Sequence, residues 1–137
     1  MAFPVAGSGY QLGDGNVNDP IIDLIQAPVS ITATATLTPA QVLNGLILAN
    51  SGVTSAQTYT LPTVTDLENV LINSDRIGTT FQFRLVNLGT SSGTAIIAAG
   101  TGWTVTGSLT MTIPTTTGAL LIARKSAAGA WTLYRAT

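Results

Sequence analysis

The side chains able to do acid–base work are few in this sequence. Glycoside hydrolysis needs two carboxylic acids on either side of a scissile bond. The acids close together in the foldable part are Asp66, Glu68 and Asp75. They fall on or beside one short helical segment, where capping, the helix dipole and solvation account for them. A Ser/His/Asp or Cys/His nucleophile is excluded by composition, because the chain has no histidine and no cysteine. The same gap removes the commonest metal ligand, Cys-ligated zinc and any disulfide framework. Asp14-Gly15-Asn16-Val17-Asn18-Asp19 sets oxygen atoms at alternate positions, faintly like a calcium loop. It lacks the glycine at the sixth position and the closing glutamate, so the pattern fails. Gly7-Ser8-Gly9-Tyr10-Gln11-Leu12-Gly13 has the wrong spacing for a dinucleotide fingerprint, with no strand before it and no helix after. Trp103, Trp131, Tyr59 and Tyr134 have the rings to stack on a sugar, but such rings more often fill a core or an interface. The expectation is a chain with no catalytic residues, no cofactor and no metal.

The rest of the composition agrees. A chain of 137 residues makes one domain with room for a real core. Only 8% of residues are charged, against about 25% in an ordinary soluble domain, and mean hydropathy is +0.42. A folded monomer of 14.0 kDa exposes on the order of 6,700 Å², more than eleven charged side chains can cover. Such a surface favours burial against a partner, which predicts an obligate homo-oligomer or a piece of a larger assembly. No apolar run reaches the ~18 residues of a membrane helix, and the N-terminus lacks the basic start and apolar core of a signal peptide. Five scattered bases make no nucleic-acid footprint. All six acids (Asp14, Asp19, Asp23, Asp66, Glu68, Asp75) precede all five bases (Arg76, Arg84, Arg124, Lys125, Arg135). That split lets the acidic segment of one subunit lie on the basic part of another.

Position along the chain supplies the elements. Residues 1–28 hold glycines and prolines and keep no steady period, which predicts an extended arm. The arm carries Phe3, Tyr10, Leu12, Ile21, Ile22, Leu24 and Ile25, too many large apolar groups for a plain linker. These seven are the candidate partner-binding residues. From Val29 the pattern changes: 29–37 alternates apolar residues with Ser and Thr, as a strand does. Thr38-Pro39-Ala40-Gln41 predicts a short helix with a capping box, ended at Gly45. Strands are predicted at 46–50 and 57–62. A second short helix is capped by Thr63, with Val64, Leu67, Val70 and Leu71 on its apolar face and Asp66 and Glu68 in its first turn. Thr79–Leu88 is the central strand, with Phe81, Phe83 and Leu85 facing a core. A hairpin-type loop at 89–93 leads to a strand at 94–99. Strands follow at 103–107 and 109–114, with a two-residue turn at Gly107-Ser108, and then at 119–124 and 130–135. Eight or nine short strands at steady spacing predict an all-β, β-sandwich or jelly-roll-like domain over 29–137, with one or two short helices and the extended N-terminal arm.

Several stretches of 29–137 carry a resemblance. They are LTPAQVLNGLILAN, TYTLPTVTDLENVL, GTTFQFRLVNLGTSSGTAIIAAGTGWTVTG and GALLIARKSAAGAWTLYR, with the turn at Asn87–Gly89 and the ending Trp131, Tyr134, Arg135. In these the chain resembles the head decoration (capsid cement) proteins of tailed bacteriophages, including cyanophages; similar segments occur in phage tail and fibre proteins. The resemblance implies a homotrimeric β-sandwich on the outer surface of the virion capsid. There it would bind the major capsid protein and stabilise contacts between capsomers. The alternative it leaves open is a tail or fibre module that binds a receptor or glycan. Neither reading needs nucleic acid, a membrane or a small-molecule substrate.

Overall fold

The structure is a computed structural model that describes residues 25–106 and 111–136. It is mostly β, with two sheets and two short helices. The strands are β1 (Val29–Ile31), β2 (Ala35–Thr36), β3 (Leu46–Ala49), β4 (Gln57–Thr60), β5 (Thr80–Asn87), β6 (Ala95–Ala98), β7 (Trp103–Thr106), β8 (Thr112–Ile113), β9 (Gly118–Ala127) and β10 (Ala130–Arg135). Helix α1 is Pro39–Leu43 and α2 is Val64–Val70. The larger sheet has the order β1-β3-β5-β9-β10-β7, and the smaller one β2-β4-β6-β8.

The chain winds rather than folding back on itself. Four times it passes from the larger sheet to the smaller: β1 to β2, β3 to β4, β5 to β6 and β7 to β8. The first three passes stack in order, so β1–β3–β5 and β2–β4–β6 pair in parallel. The helices return the chain between passes, as parallel neighbours require a crossover. Both start as the sequence predicts. Thr38 caps α1 in a full capping box with Gln41, and Thr63 accepts the backbone N–H of Asp66 at the start of α2. Gly45, just past α1, has φ +93°, a left-handed conformation that a side chain would strain. Antiparallel pairing enters with β5–β9, β9–β10 and β6–β8.

Three expectations need correction. The single strand at 29–37 is two, β1 and β2, in different sheets. Thr34 leaves the ladder, its backbone N–H and its hydroxyl both bonding the Gln57 side-chain oxygen. Ala33 and Ala35 are exposed, since two methyl groups bury too little apolar area to keep the segment on one sheet. Residues 89–93 do not form a hairpin, because β5 and β6 belong to different sheets. Likewise β7 and β8 lie in different sheets, and Gly107-Ser108 between them is outside the described residues.

One core cluster takes side chains from both sheets, among them Tyr59 and Ile97 of the smaller and Phe83, Leu121 and Trp131 of the larger. Phe81 packs partly buried against it, with ring centroids 5.6 Å from Trp131; Trp103 lies 6.1 Å from the same ring. Where the chain passes between the sheets, backbone carbonyls turn inward toward side-chain donors. Two fully buried asparagines satisfy them. Asn50 donates to the carbonyls of Gly93 and Thr94. Asn87 donates to those of Gly93, Ile113 and Pro114, and accepts the N–H of Gly89. The Tyr59 hydroxyl donates to Asn50 Oδ1, and burial raises its pKa, partly offset by the Asn50 backbone. Gly93 passes so close to the preceding loop that a Cβ there would stand 2.4 Å from the Val53 carbonyl oxygen. The predicted Asn87–Gly89 turn is therefore a polar hub joining the sheets. Asn87→Ala, which removes a fully buried amide and its hydrogen bonds, is expected to cost about 2–4 kcal/mol in urea unfolding, whereas Leu88→Ala beside it, at an exposed site, costs about 0.5 kcal/mol or less.

Candidate interaction surface

Alternation along β9 separates two faces. Ala119, Leu121, Ala123 and Lys125 are buried inward, while Gly118, Leu120, Ile122 and Arg124 point the other way. Outward positions of a sheet face in water are ordinarily polar. Here they are not. Across the middle strands, outward Leu48 of β3 registers with Val86 of β5, which faces Gly118 of β9. The next row is Leu46, Arg84 and Leu120. The third is Gln82, Ile122 and Tyr134, and the fourth Thr80, Arg124 and Thr132. Leu46, Leu48, Val86, Leu120 and Ile122 remain half-buried, covered by one another and by their neighbours, and Tyr134 is 39% exposed. Gly118, having no side chain, leaves a notch of about 300 Å³ bordered by Arg84, Val86 and Leu120. Arg84 and Arg124 stand exposed beside these apolar groups, and no carboxylate among the described residues pairs with either.

The inner face is closed by an ion pair. Lys125 is almost fully buried, and its ammonium donates to Glu68 of α2 at 2.6 Å; the Trp131 indole N–H donates to the same oxygen at 3.0 Å. Both bonds draw the Glu68 pKa below the ordinary carboxylate range, against a smaller upward push from burial. Glu68 was expected to be a solvated first-turn acid; instead it pins α2 to β9 and β10. Asp66 and Asp75 are exposed, and Asp66 has the capping environment expected of it. Trp103, Trp131 and Tyr59 are core side chains, so of the four rings suited to sugar stacking Tyr134 alone is exposed. Among the described residues no three His, Cys, Asp or Glu side chains gather as a metal site, and no helix is long and apolar enough to cross a membrane.

A second apolar feature lies at the helices. Ile25, Gln26, Ala40, Leu43, Asn44 and Val70 border a groove of about 420 Å³. Asn44 Nδ2 donates to the Ala27 carbonyl, which lays the last residues of the predicted arm on α1. Ile25 sits beside Gly45 and is 55% exposed. Val70, Ile72 and Ile77 are exposed too, so Val70 does not join the buried face of α2 as its spacing predicts. Of the seven candidate arm residues, Phe3, Tyr10, Leu12, Ile21, Ile22 and Leu24 lie outside the described residues, as do Asp14–Asp19 and Gly7–Gly13.

The outward row on β3 and β9 escaped the sequence reading, although its signal was present. LILA and ALLIA are continuous apolar runs, the pattern of strands covered on both faces. The Glu68–Lys125 pair joins residues 57 apart and had no local signal. No family model, curated protein or solved structure matches the chain.

Glu68→Gln leaves the buried ammonium without its counter-charge and is expected to cost about 2 kcal/mol near neutral pH, the pair being partly screened at the Glu68 end. Because the folded pKa of Glu68 is depressed, the pair stabilises above the unfolded carboxylate range and its contribution is lost as pH falls through the folded value. Urea titrations of wild type and variant should therefore converge as pH drops below about 4.

Proposed function

We propose that this chain is a non-enzymatic structural protein of a tailed-phage virion. In this reading it decorates the outer surface of the capsid as a homotrimer, seated on the major capsid protein, and holds neighbouring capsomers together. Its two sheets around one core are read as a β-sandwich, and residues 1–28 as the segment that reaches a partner. The observation that carries the proposal is the larger sheet's outer face. Leucine, valine and isoleucine occupy positions that face away from the core, on a surface with few charges to keep it in water. Covering that area against a second protein supplies adhesion without any reacting group, and area buried across a seam raises the cost of separating its two sides. The rival, a tail module that binds glycan, is weakened because Trp103 and Trp131 are buried.

Immunogold labelling of intact virions with antibody against this chain should mark heads. Capsids stripped of it should lose their genome at lower temperature and recover on adding it back. Labelling confined to tails would overturn the capsid assignment.

A further inference from the structure

The outer face and the N-terminal segment are complementary in two independent ways. The face offers Leu48, Val86, Leu120 and Ile122 flanked by the exposed guanidinium groups of Arg84 and Arg124. Residues 1–28 hold three aspartates, Asp14, Asp19 and Asp23, and no lysine or arginine. The same stretch interleaves those acids with Tyr10, Leu12, Ile21, Ile22 and Leu24. Apolar groups punctuated by acids are what a sheet face of apolar groups punctuated by bases takes up. Fifteen residues, 10–24, reach roughly 50 Å when extended, ample for a face four strands wide at about 4.8 Å per strand.

We infer that the outer face of the larger sheet receives residues 10–24 of a second copy of this chain. The inference rests on the adhesive reading above and names the partner for that face. A second copy is preferred to the chain's own segment because so sparsely charged a surface calls for burial against a partner. Ile25 borders the groove with Leu43 and Val70, and Ala27 is bonded to Asn44 of α1. Helix α2 lies on the inner side, where Glu68 meets Lys125 and Trp131. The described chain therefore starts beside the helices rather than on the outer face. Reciprocal exchange of this kind joins copies through both charge and apolar area. It also uses the one-sided distribution of acids and bases along the sequence.

Sedimentation velocity on the full-length chain tests it by charge exchange. Wild type should sediment as an oligomer. Arg84→Glu/Arg124→Glu and, separately, Asp14→Lys/Asp19→Lys/Asp23→Lys should each shift the protein to the monomer mass with an unchanged circular dichroism spectrum. An equimolar mixture of the two variants should regain mass, because each then offers the other a matching segment and face. Failure of the mixture to reassociate, with a single chain carrying all five changes behaving as wild type, would place the segment on its own domain and overturn the exchange. Charge variants that stay oligomeric while Ile122→Asp dissociates the protein would mean that the face meets some other surface, leaving the adhesive reading intact without this partner. A wild type that is monomeric throughout would remove both.

Discussion

A strand that carries large apolar side chains on both faces has to be covered twice. Strand β9 is such a strand. Its inward residues, Ala119, Leu121 and Ala123, are covered by the core, together with β5 and β10 on either side. Its outward residues, Leu120 and Ile122, share a surface with Leu46, Leu48 and Val86. Polar residues at these outward positions would cost the core nothing. Their apolar character is the observation on which the adhesive role proposed for the chain rests.

The interior uses charge and polarity sparingly, where backbone geometry demands them. Asn50 and Asn87 sit where the winding chain leaves β3 and β5, and their amides bond buried carbonyls of the facing loop and strand. At these two crossings a buried side-chain amide supplies donors to inward-facing carbonyls. Lys125 is tolerated on the inner face of β9 because Glu68 and Trp131 form a compact charge-assisted cluster with it. That cluster fixes α2, and with it the end of the molecule where the arm's last residues lie on α1. The charged groups left on the outer face, Arg84 and Arg124, are thus set apart from the pairing that stabilises the monomer.

Much of this was legible in the amino-acid sequence, and the parts that were not have physical reasons. Helix starts were readable because capping is local: Thr38 with Gln41 and Thr63 with Asp66 lie three residues apart. The central strand was readable from the period of two in Phe81, Phe83 and Leu85. Strand pairing was not. Alternation marks a strand but does not say which neighbour it pairs with, so short Gly-rich loops suggested hairpins where the chain crosses between sheets. The Glu68–Lys125 pair was out of reach because its partners meet only once the sheet is assembled. LILA and ALLIA, as continuous apolar runs, mark strands covered on both faces, but such a run does not say what covers the second face.

The central claim is that protein, and not water, covers the outer face of the larger sheet in the working molecule. Hydroxyl-radical footprinting of the full-length chain over a dilution series reads this directly, side chain by side chain. Protection at Leu120, Ile122 and Tyr134 should grow with concentration while Ile72, on the α2–β5 connection, keeps constant reactivity. Equal reactivity of the outer-face side chains at every concentration, matching their exposure in a single copy, would contradict it.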